Sequence, residues 1–236
     1  MAQLPFFYLS SLDSSQNEFV LDEETSKHVV QVLRMEKGEE IQLTNGLGNL
    51  LTAVIIDDHK KKCVVKKEQS QFHEQGGSKI SIGISLLKNN SRFEWFLEKA
   101  TEIGIAEIVP LVCERTEKQH FRLERMKSIL VSAMLQSQQV WLPILHEPRT
   151  FKKVVKDSLD KGKWIAHCVP GDKKTLSQNI DRNASSQIIL IGPEGDFTNE
   201  EIALALQYQF VPVVLGETRL RSETAGMVAA TILKIS

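Results

Sequence analysis

The chain has 236 residues, enough for one large or two small domains. Hydrophobic residues make up 42%, charged residues 25%, and the formal net charge is -1. This balance suits a domain with a buried core and excludes a protein-wide field that gathers nucleic acid or anionic membrane, so any such binding needs a local patch.

No apolar run reaches the roughly 20 residues of a membrane span. Met1 to Ser10 lacks a basic n-region and a small-residue cleavage signal, so a cytoplasmic protein with no membrane association is expected. In chain order, Phe6 to Leu9, Glu40 to Leu43, Leu50 to Ile56 and Cys63 to Val65 read as short strands. One helix interrupts them, with Thr25 or Ser26 as its cap, Val29, Val32 and Leu33 as its apolar face and Gly38 at its end. Asn45-Gly46-Leu47-Gly48 comes nearest to a dinucleotide-binding glycine loop, but apolar alternation follows it, so it reads as a hairpin turn. Short strands at close spacing predict a small β-barrel. Gln69 to Ser78 is polar and contains Gly76-Gly77. It marks a linker, set at 71–78, between a domain of 1–70 and one of 79–236.

Beyond the linker, strands alternate with helices. Ile80 to Leu87, Glu107 to Val112, Trp164 to Cys168, Gln187 to Ile191 and Val211 to Leu215 read as strands. Ser91 to Ile103 reads as a helix with a Ser91–Glu94 capping box, Phe93, Phe96, Leu97 and Ala100 inward, and Gly104 as its stop. Leu123 to Gln138 is a second helix with Met126, Ile129, Leu130 and Ala133 inward. Thr198 to Gln207, with a Thr198–Glu201 box, and Ser222 to Leu233 complete the set. The alternation predicts an α/β domain with a mostly parallel sheet.

The three cysteines, Cys63, Cys113 and Cys168, lie far apart without a C-x-x-C, and each falls in or next to a strand. They read as reduced core thiols, and no metal site is expected. Phosphate-loop, H-E-x-x-H and G-x-S-x-G motifs are absent as well. In parallel sheets ligands gather at the carboxyl ends of strands. Two such ends stand out here. Ile188 to Ile191 empties into Gly192-Pro193-Glu194-Gly195-Asp196-Phe197-Thr198, and Val213 to Leu215 into Gly216 and then Glu217 to Gly226. Glycines let a ligand approach the backbone, although each loop alone also reads as a strand-to-helix turn. Arg219, Arg221 and Glu223 crowd one turn, which reads equally as a surface ion-pair cluster. Gly226, Ala229 and Ala230 make the last helix slim enough for close packing on the sheet, on a ligand or on a second subunit. Neither loop carries a lysine, so neither is a phosphate cradle; a sulfonium or adenosine ligand held by backbone groups suits them.

These two loops also carry a resemblance. G-P-E-G-D-F-T followed by L-G-E-T-R-L-R-S-E-T-A resembles the SPOUT methyltransferases and, within them, the RsmE-type 16S rRNA uridine-N3 methyltransferases. His28-Val29-Val30-Gln31-Val32-Leu33-Arg34, Glu98-Lys99-Ala100-Thr101-Glu102-Ile103-Gly104 and Ala133 to Pro143 match further family segments in order. Asp196, Leu135 and Gln139 depart from the family pattern, which has a glycine, a glutamate and an arginine at those places. The resemblance implies an α/β trefoil-knotted SPOUT domain behind an amino-terminal PUA/OB-like β-barrel that binds RNA. It also implies a homodimer that uses S-adenosyl-L-methionine to methylate N3 of a uridine in 16S rRNA of the small ribosomal subunit.

By position in the matched loops, Gly192, Glu194, Gly195, Leu215, Gly216, Leu220 and Thr224 fall to the methyl donor. Uridine N3 must lose a proton before or during attack. Arg221 is the candidate to stabilise the uracil anion, and Glu223 to take the proton or to orient Arg221. Lys27, Arg34, Lys99 and Arg115, with Lys37 and Arg92, are candidates for RNA contact, though each alone reads equally as a solvated charge. His59-Lys60-Lys61-Lys62 with Lys66-Lys67 forms either a phosphate patch or a charged hairpin edge, and His28 reads as structural. Two other readings stay open: a SPOUT enzyme acting on tRNA or a ribose 2′-hydroxyl, and a non-catalytic ribosome-assembly protein.

Overall fold

The computed structural model describes residues 4–117 and 120–235. Two compact units divide it: the chain through Gln75 together with Met134–Leu142, and Gly76–Ala133 together with Pro143 onward.

The first unit contains β1 (Phe6–Tyr8), β2 (Glu18–Val20), α1 (Glu23–Lys27), β3 (Glu40–Thr44), β4 (Asn49–Asp57) and β5 (Val64–Phe72). They form one five-stranded sheet in the order β1-β3-β4-β5-β2, with only the β1–β3 pair parallel. Alternation along β3 and β4 sends Ile41, Leu43, Leu51, Ala53 and Ile55 into the core. The turn 45–48 joins β3 and β4 as a hairpin, as its glycines predict. β5 continues through Phe72, so pairing extends into the stretch expected as linker.

The helix of this unit departs from expectation. Its cap is Asp22, whose carboxylate accepts from the Thr25 amide at 2.8 Å, rather than Thr25 or Ser26. The helical path then widens into a π-turn over His28–Val32, closed by the Leu33 amide on the His28 carbonyl at 2.9 Å. The wider turn buries Val29 but leaves Val32 and Leu33 exposed. Gly38 does not end this helix; at φ 96° it turns the chain into β3.

The second unit runs β6 (Lys79–Ser85), α2 (Asn90–Ile103), β7 (Glu107–Val112), α3 (Leu123–Gln136), β8 (Ile144–Leu145), β9 (Arg149–Thr150) and α4 (Phe151–Asp157). It continues with β10 (Gly162–Ala166), β11 (Lys174–Thr175), α5 (Leu176–Asn179), β12 (Ser186–Ile191), α6 (Asn199–Gln207), β13 (Val211–Val214) and α7 (Ser222–Ile235). The last three residues of α3 group with the first unit. The sheet is parallel throughout, in the order β11-β13-β10-β12-β6-β7-β8, with β9 also on β7. Both faces are covered, so β12 reads as a continuous apolar run, Ile188 to Ile191, all buried. Gly83 in β6 lies against this run: a Cβ there would sit 2.7 Å from Leu190 Cδ2.

α2 is capped by Asn89, which accepts from the Ser91 amide at 2.9 Å, so the expected Ser91–Glu94 box does not form. Glu94 instead takes a two-pronged bond from Arg125 of α3, at 2.6 and 2.8 Å. The Thr198–Glu201 box of α6 forms as expected. Gly104 closes α2 in the left-handed conformation its position predicts. Gly226 of α7 abuts Phe96 of α2, where a Cβ would stand 2.7 Å from the ring.

Candidate functional site

β10, β12 and β13 are neighbours and parallel, so their carboxyl ends open on one side of the sheet. A cavity of about 610 Å³ lies there. Gly192 and Glu194 reach it from the β12 loop, and Leu215, Gly216, Leu220 and Arg221 from the β13 loop. A third wall, missed from the sequence, follows β10: Ala166, His167 and Cys168, with Lys173. The signal was present in His167-Cys168-Val169-Pro170-Gly171, a strand running into Pro-Gly at the same end of the sheet.

The loops are tied to each other rather than free. Glu194 accepts from the Lys88 backbone amide at 3.1 Å, which anchors the β12 loop to the end of β6. Asp196 adopts φ 62°, the left-handed region that aspartate tolerates. Its carboxylate accepts from the Cys168 amide at 2.7 Å and the Phe197 amide at 2.8 Å, joining the β10 and β12 walls. Lys173 donates to the His167 carbonyl at 2.6 Å and the Val169 carbonyl at 2.7 Å. Burial, and then the Lys173 charge, hold the His167 imidazole below its ordinary pKa; burial likewise lowers Lys173.

Three expected donor or catalytic residues do not line the cavity. Gly195 turns away, its carbonyl bound by Arg115 Nη1 at 2.7 Å. Thr224 sits in the first turn of α7 between the lining residues Ser222 and Ala225 without lining the cavity itself. Glu223 is buried, with its carboxylate 3.6 Å from Arg92 Nε, so its recorded ion pair is with Arg92 rather than Arg221. Arg221 is exposed and lines the cavity. Cys63 and Cys113 are buried as expected, but Cys168 is exposed on the cavity wall. It lies beyond the last residue of β10, where the buried ladder has ended.

The family model described as an RNA methyltransferase domain matches residues 66–234, and one described as an RNA methyltransferase PUA domain matches residues 21–68. A ribosomal RNA small subunit methyltransferase E of Synechocystis is 32% identical over 207 residues, covering 86% of this chain and 68% of the relative. The chain belongs to the ribosomal RNA small subunit methyltransferase E family. A Porphyromonas gingivalis protein described as a probable rRNA-methyltransferase superposes with a TM-score of 0.91 at 33% identity, over 98% of this chain and 99% of that one. The Neisseria gonorrhoeae member, solved bound to S-adenosyl methionine, gives 0.87 at 25% identity, over 99% and 98%. The fold is therefore that of this family, with an amino-terminal PUA-like domain and an α/β methyltransferase domain.

The basic residues expected to meet the family's RNA differ in their freedom. Lys27 pairs with Glu23 at 2.7 Å, and Lys99 with Glu98 and Glu102 at 2.7 and 2.9 Å. Arg115 is committed to the Gly195 carbonyl. Arg34 is exposed at φ 57° and makes no ion pair among the described residues. Lys61 lies 3.8 Å from Glu23, and Lys67 donates to the Ser14 carbonyl at 2.7 Å. His28 packs edge-on to Phe7, with ring centroids 5.8 Å apart, which fits its structural reading. No helix among the described residues is long and apolar enough to cross a membrane, and no group of three or more potential metal ligands occurs among them.

Proposed function

We propose that this protein transfers a methyl group from S-adenosyl-L-methionine to N3 of a specific uridine in 16S rRNA of the small ribosomal subunit. The observation that carries this reading is the convergence of the 192–196 and 215–221 loops on one cavity. The residues present suit the donor. The volume of about 610 Å³ falls within the range of small-molecule sites. No atom within 4 Å opposes Gly216 at its Cβ position, which leaves room beside the backbone. Gly192, Glu194, Leu215, Gly216 and Leu220 would hold it, with Gly195 and Thr224 acting from behind.

When bound, the donor supplies an electrophilic methyl on sulfur. The chain must supply a place for the uracil and a path for its proton. Arg221, exposed at the cavity, is assigned to hold the uracil as its N3 proton leaves, a cation placed where negative charge develops. Glu223 is assigned to the proton, or to ordering the turn through Arg92. N3 faces its pairing partner in a duplex, so the base must be unpaired or extruded. The reading extends to RNA binding by the amino-terminal domain through Lys27, Arg34, Lys99 and Arg115, a trefoil-knotted carboxyl-terminal domain, a homodimer and a cytoplasmic location. The small-residue face of α7, Gly226, Ala229 and Ala230, is taken up inside this chain against Phe96 and Ile84, so the second copy has to pack elsewhere.

Calorimetry with S-adenosylmethionine, then mass spectrometry of nucleosides from treated small-subunit RNA, tests it. Donor binding and N3-methyluridine are expected; a 2′-O-methyl product, or no binding, overturns the reading. Arg221→Ala or Glu223→Ala is expected to lower methyl transfer by about 100-fold or more. Near-normal turnover in single-turnover assays removes that residue from the mechanism.

A further inference from the structure

The first unit holds a second cavity, of about 440 Å³, on the face of its sheet opposite the core. Along β3, Ile41 and Leu43 point into the core, so Gln42 points the other way. Phe6 is its register partner on β1. The segment 138–141 completes the cavity over this face, with Leu50 and His73 beside it. No lysine, arginine, aspartate or glutamate lines it. Aromatic rings and side-chain amides without charge do not read phosphate. They match the flat face and the donor–acceptor edge of a nucleobase.

The cavity is built rather than left over. Trp141 is fixed from several sides. Its Nε1 donates to the His73 carbonyl at 2.9 Å, and Phe72, 59% exposed, meets it edge-on at 6.1 Å. Gly48 makes room for the indole, since a Cβ there would lie 2.5 Å from Trp141 Cζ2. Gln138 is exposed and stands at φ 57° as the left-handed residue that ends α3, where the Gln139 amide donates to the Met134 carbonyl at 3.0 Å. His73 Nε2 is shielded from solvent and has no hydrogen-bond partner among the described residues. An unpaired polar atom beside an uncharged, aromatic-walled cavity is the pattern of a recognition site.

We propose that this cavity receives one unpaired nucleobase of the RNA substrate, apart from the base that is methylated. The proposal rests on the reading of the chain as an enzyme that acts on ribosomal RNA. Gln138 permits a clean test, because glycine accepts its backbone conformation without an amide and asparagine accepts it with one. The full chain, with Gln138→Gly, Gln138→Asn and Trp141→Leu variants, is titrated with a labelled single-stranded RNA of about ten nucleotides and with the same sequence as a duplex. Fluorescence anisotropy is read at several salt concentrations, beside thermal melting.

The wild type is expected to prefer the single strand. Gln138→Gly and Trp141→Leu are expected to weaken single-strand binding by about 10-fold. The slope of log affinity on log salt should not change, since no phosphate contact is lost. Gln138→Asn should restore most of the affinity, and Gln138→Gly should melt no lower than the wild type. Equal wild-type affinity for both RNAs, an unaffected Gln138→Gly, or a loss that falls equally on the duplex overturns the proposal. Methyl transfer by the wild type reports separately on the underlying reading: an active enzyme indifferent to Gln138→Gly removes the pocket alone.

Discussion

Asp196 shows how one side chain can offset a strained backbone. A non-glycine residue in the left-handed region costs about 1–2 kcal/mol. Two backbone amides on its carboxylate, from Cys168 and Phe197, return a comparable amount. Asp196→Gly relieves the first and deletes the second, so melting should change little while donor affinity falls by about 10-fold. Calorimetry giving unchanged affinity would show that the carboxylate does not shape the cavity. Burial pushes the Cys63 thiol up to about 11 and the Cys113 thiol up to about 12. Cys168, by contrast, is exposed. Native-state iodoacetamide should therefore label Cys168 first, and bound donor should slow it, as peptide mapping would reveal. Its placement was misread from the sequence because nearness to an apolar strand signals burial only while the ladder lasts. His167 gives a pH prediction. Its folded pKa lies below the unfolded 6.5, so the native state binds fewer protons. The stability it allows is whole above pH 6.5 and declines as pH falls from there through the folded value. An NMR titration should find a midpoint below 6.5, moving upward in Lys173→Met as the neighbouring charge is removed.

Among the elements, those framed by strong local signals were legible. Thr198 and Glu201 announced α6, and Gly104 announced the end of α2. The start of α2 was misjudged by one competing partner: Glu94 is drawn to Arg125, a residue 31 positions away that local spacing cannot foresee. The π-turn over His28–Val32 escaped for a related reason, because a 3.6-residue period assigns Val32 and Leu33 inward whereas the wider turn rotates them out. The two-residue strands β8, β9 and β11 are too short to show any period. Contact between α2 and α7 depends on Gly226 beside Phe96 and Ile84, both in the apolar interior. Gly226→Ala should overpack this seam and cost about 1–3 kcal/mol, seen as a lower melting temperature. An unchanged melt would mean that the Phe96 ring swings aside freely.

For the whole molecule, alternation announced the parallel sheet but not its order. That order places β12 between β10 and β6, which are distant in the chain. Proximity of the 192 and 216 loops follows from this order; glycines after apolar runs marked both loops in the sequence, whereas the third wall carried only the weaker Pro170-Gly171 signal after β10. Grouping of Met134–Leu142 with the amino-terminal unit likewise has no local signature. Charge at this scale is balanced, so RNA affinity must come from patches. Replacing Lys60, Lys61 and Lys62 by glutamine should make the salt dependence of RNA binding shallower by about one to two in slope. Lys61 should contribute least, since it already leans toward Glu23. An unaltered slope would leave these lysines as guards against edge-to-edge association.

The contact between Gly83 and Leu190 has a consequence beyond packing. Leu190 stands two residues before Gly192, on the strand that delivers the glycine loop to its cavity. A methyl group added at 83 would press on the buried tip of the Leu190 side chain, and the repacking would be felt along the strand that ends at the loop. Turnover could thus be retuned from the floor of the domain, leaving every substituent that meets either reactant chemically unaltered.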